Sequence, residues 1–158
     1  MNPFPDLLRH LAWADASLLA AIAAHPESLG DERVQKLLRH ILRVERVFLA
    51  RFTGGDADAV REIPADFGAV VGLFHEAHRS LLAFVDGLTE ADAARTFPLP
   101  ALEIHPSVEE GLTQIALHSQ NHRGQCLLRP RENGAAPPNL DYIFWIKGRP
   151  APVYPEAG

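Results

Sequence analysis

The chain has 158 residues, of which 47% are hydrophobic, so length and composition fit one globular domain with a sizeable core. The net charge is −5 and the basic residues are scattered, so we expect no nucleic-acid partner. No apolar run reaches about 18 residues, so we expect no membrane span. The N-terminal residues lack a basic region followed by an apolar one, so we expect no secretory signal. A single cysteine, Cys126, excludes an internal disulfide and fits a reducing cytoplasm.

Apolar residues recur every three or four positions over four long stretches, a spacing typical of amphipathic helices. The four predicted helices cover residues 4–24, 31–52, 66–88 and 107–129. Pro26 and Pro130 are expected to end the first and the fourth, because the residue before a proline avoids the helical conformation. Four helices with one apolar face each favour an all-α fold, the antiparallel four-helix bundle.

The remaining stretches are predicted to connect or cover these helices. Residues 95–105 contain two prolines and are expected to form a crossover with a short extended pair. Residues 141–147 form a short apolar segment, helix or strand, that must pack on something. We assign residues 1–147 to a single domain and expect residues 148–158, with three prolines, to form a loose tail.

Three histidines are candidate metal ligands. His118 and His122 lie four residues apart in the fourth predicted helix, so both side chains share one face. Such a pair can bind one divalent cation, although the spacing fits two ordinary histidines equally well. His40 falls in the apolar row of the second helix, with Leu37 and Val44, and so points towards the interior. Bundles build metal sites from facing helices, and three imidazoles are typical of catalytic zinc, while nickel, copper and iron also accept imidazole.

Other chemistry-bearing residues are interpreted as structural. His75 and His78 are expected to form a solvated or half-buried pair. Cys126, one turn beyond His122, is expected to be a core thiol rather than a fourth ligand. Glu45 lies at a position from which it could orient a ligand imidazole, but we expect a solvated carboxylate.

Further positions in the first and fourth helices are assigned no chemistry. Gly124 is expected to permit a close helix contact. Arg123 and Gln125 fit contacts near the histidine pair and exposed positions equally well. His10 and His25 are expected to be ordinary, one near the edge of an apolar row and one in a turn.

Three stretches carry a family resemblance: residues 11–19 around Trp13, residues 40–51 beginning with His40, and residues 118–125, which read HxxxHRGQ. On these stretches the chain resembles the DinB/YfiT-like family of metal-binding four-helix bundles, over roughly residues 7–145. Mapped onto this sequence, the family's metal ligands fall on His40, His118 and His122. Many relatives carry a further histidine where this chain has Gln114.

The resemblance implies a bundle with one divalent metal, commonly zinc or nickel, and a homodimer. It implies a metal-dependent enzyme acting on a small molecule through activated water or thiol, as a hydrolase or a thiol S-transferase. A low-molecular-weight thiol would then be a cofactor. The alternative is a metal-containing stress-response or scaffold protein without turnover. Since no motif identifies a general base, the sequence leaves both open.

Overall fold

The computed structural model describes residues 3–156, and within that range it contains helices and two isolated β-bridges but no strand. The all-α prediction is therefore confirmed. The α-helices are α1 (Phe4–Ala23), α2 (Pro26–Leu29), α3 (Glu32–Thr53), α4 (Phe67–Asp86), α5 (Glu90–Ala94), α6 (Val108–Glu132) and α7 (Tyr142–Trp145), and a 3-10 helix spans Pro100–Leu102. Within the described range no helix is both long and apolar enough to cross a bilayer.

The four long helices pack as a bundle in which α1 contacts α4 and α6, and α3 contacts the same two helices. Two apolar clusters fill the two ends of this bundle. One cluster contains Leu18, Ile22, Leu38, Ile41, Phe74 and Cys126. The other contains Leu8, Leu11, Phe52, Leu81, Val85 and Ile115.

These clusters also give the helix directions. The first halves of α3 and α4 meet the second halves of α1 and α6 in one cluster, and the reverse holds in the other. The pairs α1–α4 and α3–α6 are therefore antiparallel, as predicted for the bundle, whereas α3 and α4 run in the same direction. The connection between α3 and α4 makes this possible because it runs back along α3, where Arg43 and Arg46 donate hydrogen bonds to the carbonyls of Arg61 and Val60.

Caps place the ends of α3 and α6. The Asp31 carboxylate accepts hydrogen bonds from the backbone N–H groups of Arg33 and Val34, which satisfies donors that the first helical turn leaves free. Ser107 and Glu110 form a capping box at the start of α6. These caps hold the two helices that carry the candidate ligands.

Two expectations differ from the structure, one about the end of α6 and one about the C-terminal segment. Pro130 does not end α6, which continues to Glu132, because a proline removes a single backbone N–H and the remaining turn still closes. The segment predicted to be a loose tail includes Tyr154, whose hydroxyl lies 2.7 Å from Nδ1 of His78 and whose ring stacks on His75. The crossover agrees with the prediction, since Leu99 and Ile104 form an isolated antiparallel bridge.

Candidate metal centre

Three imidazoles meet at the interface between α3 and α6. Nε2 of His40 lies 2.9 Å from Nε2 of His118, and the ring centroids of His118 and His122 are 4.4 Å apart. One ligand atom of each histidine lies within 4.8 Å of the ligand atoms of the other two. The structure thus brings together the three histidines that the sequence singled out.

The donor set at this place fits a divalent metal. Nδ1 of His118 is buried and has no hydrogen-bond partner among the described residues. Nδ1 of His122 lies 3.0 Å from the amide oxygen of Gln125. If Nδ1 donates to that acceptor, the tautomer is fixed and Nε2 carries the lone pair, the arrangement that a ligand histidine requires. The three rings crowd together without a carboxylate among them, and a cation would satisfy their lone pairs.

The local environment keeps two of these histidines neutral. Burial, reinforced by the neighbouring His122 and His40, lowers the pKa of His118 to about 4. Burial, followed by the effects of His122 and Arg43, also lowers the pKa of His40. Metals bind the neutral form of imidazole, so both rings are in the ligand form at neutral pH.

A second group of potential ligands lies in the middle of the bundle and is fully buried. Nε2 of His78 on α4 lies 3.1 Å from a carboxylate oxygen of Glu45 on α3 and 3.3 Å from one of Asp15 on α1. The ligand atoms of this trio also lie within 4.8 Å of one another. The sequence analysis was wrong about Glu45 and His78, which are 0% and 1% exposed rather than solvated.

This second group carries its own counter-charges. Arg123 of α6, 2% exposed, pairs with Asp15 at 2.8 Å, and the hydroxyl of Ser119 donates to Glu45 at 2.8 Å. Two cationic side chains therefore face two carboxylates. We interpret the group as an ion-pair network that ties the four long helices together, and the histidine trio, which has no such partners, as the stronger metal candidate.

The pKa values in the network follow from this mutual pairing. Burial alone would lower the pKa of His78, but the carboxylates of Glu45 and Asp15 outweigh it and raise that pKa well above 6.5. Burial alone would raise the pKa of Asp15, but Arg123 and His78 lower it to about 2. Burial and the charge of Asp15 raise the pKa of Glu45 to about 7.

The sequence analysis missed Asp15, although a signal was present. Asp15 lies four residues after Leu11 and three before Leu18, which places a carboxylate within the apolar row of α1. An acid in such a row must find a partner in the interior. Arg123, for which an exposed position was one of two alternatives, is that partner.

Other assignments can be compared directly. Cys126 is 0% exposed in the apolar core, and burial raises the pKa of its thiol to about 12, as expected for a structural cysteine. Gly124 was wrongly expected to allow a close contact, since a Cβ there would meet nothing within 4 Å. The close approach occurs at Gly111 instead, where a Cβ would lie 2.6 Å from Phe52. His10 is buried, and its Nε2 lies 2.7 Å from the carbonyl oxygen of Leu140.

A cavity of about 610 Å³ lies beside His118, between α3 and α6 and beneath the crossover that joins α5 to α6. Its walls are mostly apolar. The polar groups among its described lining residues are Arg51, Arg61, Glu110, Gln114 and His118. A small molecule in this cavity would lie against one of the three clustered imidazoles.

Comparison with known families identifies the chain. Its sequence matches the family model of the DinB superfamily over residues 1–126. The chain belongs to the DinB superfamily. The match spans α1, α3, α4 and most of α6, and it therefore includes every histidine of the DinB candidate centre. No curated protein and no solved structure gives a significant match.

Proposed function

We propose that this DinB protein is a divalent-metal-dependent enzyme that acts on a small molecule in the cavity beside His118. The observation that carries the proposal is the convergence of His40, His118 and His122, of which His118 lines a cavity of about 610 Å³. The three imidazoles would hold zinc or nickel, and three protein ligands leave a coordination position for another group. The bound metal would lower the pKa of a water or thiol and so supply a nucleophile near neutral pH.

The protein's own residues prepare this chemistry. Gln125 orients His122 through Nδ1, and His118 forms part of the cavity wall. A reactant that fills this mostly apolar cavity would displace water from it, which would strengthen the electrostatic interactions of the reactant. The network below the centre adds rigidity, because Ser119, the neighbour of His118, is bonded to Glu45 of α3.

The carboxylate content of the cavity supports the choice of a thiol over a base-assisted water as the reacting group. Glu110 is the one carboxylate among the described lining residues, and it accepts a hydrogen bond from the backbone N–H of Ser107 at 2.7 Å. A hydrolase benefits from a free general base that takes the proton of the attacking water. A thiol has a far lower pKa than water and needs no such base once it is ionised. We therefore propose a low-molecular-weight thiol as cosubstrate.

Cobalt substitution tests this proposal. Thiols added to the cobalt-loaded protein should produce thiolate–cobalt charge-transfer absorption, and the His118→Ala variant should not show it. The variant Cys126→Ser should respond like the wild type, because the protein's own thiol is buried. No response to thiols, together with turnover of esters or amides, would favour a hydrolase. Neither response nor turnover would favour a metal-containing scaffold or stress-response protein.

A further inference from the structure

The cavity beside His118 has two chemically different ends. Because α3 and α6 are antiparallel, His118 lies near Val44 at one end, and Glu110 lies near Arg51 at the other. Glu110 and His118 are eight residues apart, which corresponds to about 12 Å along a helix. An elongated ligand is needed to reach both ends.

Arg51 provides an unused anion-binding edge at the end remote from His118. One terminal nitrogen, Nη1, donates to the carbonyl of Pro98 at 3.0 Å, which holds the guanidinium in place. Nε is buried and has no hydrogen-bond partner among the described residues. None of the ion pairs formed within residues 3–156 includes Arg51. The edge of a guanidinium that carries Nε can match a carboxylate with two parallel hydrogen bonds.

The other charged groups of the cavity are already engaged. Nε of Arg61 donates to Asp58 at 2.7 Å. Glu110 accepts the N–H of Ser107 in the capping box. Among the described lining residues Arg51 is the cation that forms no ion pair, and it shares its end of the cavity with the carboxylate of Glu110.

We propose that Arg51 binds the carboxylate of an elongated small molecule, whose apolar body fills the channel and whose other end reaches His118. The apolar walls that would contact this body are Val44, Val47, Phe48, Leu99, Leu102 and Ile104. That the ligand reacts at the end near His118 rests on the proposed function. The docking of the carboxylate depends on Arg51 and needs no metal.

Calorimetric titration of the metal-free protein tests the docking directly. The probes are 4-phenylbutyrate, the neutral 4-phenylbutanol and the cationic 4-phenylbutylamine, which share one apolar body. The carboxylate should bind roughly tenfold or more tightly than the alcohol, since a hydrogen bond to a charged group contributes about 1.5–3 kcal/mol. Equal binding of the three probes would overturn the proposal.

Variants locate the anion. Arg51→Gln should remove the preference for the carboxylate, and it should bind 4-phenylbutanol with the same affinity as the wild type. Arg51→Lys should keep part of the preference, because lysine supplies the positive charge but not the two parallel N–H donors of a guanidinium. The surface variant Arg79→Gln is the control that should bind as the wild type does. A preference that persists unchanged in a folded Arg51→Gln protein would overturn the proposal.

Competition identifies which reactant carries the carboxylate. If the thiol cosubstrate carries the carboxylate, 4-phenylbutyrate should displace a carboxylate-bearing thiol from the cobalt-loaded protein. Arg51→Gln should then weaken the binding of that thiol. If the other substrate carries it, both molecules should bind together. A failure of the metal proposal would appear as unchanged metal content in the histidine variants, and would leave the Arg51 result intact.

Discussion

Nε2 of His40 lies 2.9 Å from Nε2 of His118, across the interface of two antiparallel helices. The pair HxxxH is local, and any α-helix would place its two rings on one face. The third imidazole arrives through the packing of α3 on α6, so the candidate centre depends on the fold of the bundle. Changes that shift these helices should affect the centre, whereas changes at the bundle surface should not.

The packing of α6 on α3 should be sensitive to a single methyl group at Gly111. A Cβ at this position would lie 2.6 Å from Phe52 and 2.9 Å from Phe97. We expect Gly111→Ala to reduce the free energy of unfolding by about 1–3 kcal/mol, the usual cost of overpacking. Chemical denaturation measures this value.

Gly124→Ala is the matched control on the same helix. A Cβ there meets nothing within 4 Å, and alanine is favoured over glycine inside a helix by roughly 0.5–1 kcal/mol. This variant should therefore be slightly more stable than the wild type. Equal stability of the two variants would contradict the packing described here.

The buried network should make stability depend on pH through His78. Burial lowers the pKa of His78, but the carboxylates of Glu45 and Asp15 outweigh burial and raise this pKa well above 6.5. The other polar groups of this network are the Tyr154 hydroxyl, next to His78, and Arg123, which pairs with Asp15. A raised folded pKa stabilises the fold fully below the unfolded value of about 6.5, and that contribution is lost as pH rises through the folded pKa. The free energy of unfolding of the metal-free protein should therefore fall above pH 6.5.

The variant His78→Gln should show a shallower decline over the same range, measured by denaturation at several pH values. His75→Gln serves as the control, because His75 stacks on Tyr154 without a carboxylate partner. Parallel profiles for wild type and His78→Gln would show that His78 is not the cation of this network.

Self-association is proposed from the family resemblance and is supported by an exposed apolar face. On α7, Ile143 and Phe144 are 63% and 55% exposed, whereas Trp145 is buried beneath them. We expect sedimentation at micromolar concentration to show a homodimer, and Ile143→Asp to shift it towards monomer. Leu117→Asp, on an exposed position of α6, is the control. A wild-type protein that is monomeric at all concentrations would contradict the predicted homodimer without bearing on the fold.

The sequence predicted features that depend on local periodicity. The four long helices follow from apolar spacing, and the inward position of His40 follows from its place in the row of Val44. The direction of α4 relative to α3 could not be predicted in this way, because periodicity identifies the apolar face of a helix but not its neighbours. The return of the chain along α3 depends on contacts such as Arg43 with the carbonyl of Arg61.

The buried network was missed for a related reason. Asp15, Glu45 and His78 lie on three helices, and each is of a polar residue type that is common on the exposed face of an amphipathic helix. Their burial is favourable because they meet one another together with Arg123. The spacing of α1 marks Asp15 as an inward carboxylate, but the local spacing of one helix does not show which residues of the other helices pair with it.

The metal content of protein purified without an affinity tag, measured by elemental mass spectrometry, tests the central claim most directly. The wild type should carry one divalent metal per chain, and each of His40→Ala, His118→Ala and His122→Ala should lose most of it. The controls His25→Ala and His78→Gln should retain it. Full occupancy in His40→Ala would mean that the third ligand is wrong, and full occupancy in all three variants would contradict a metal centre at these histidines.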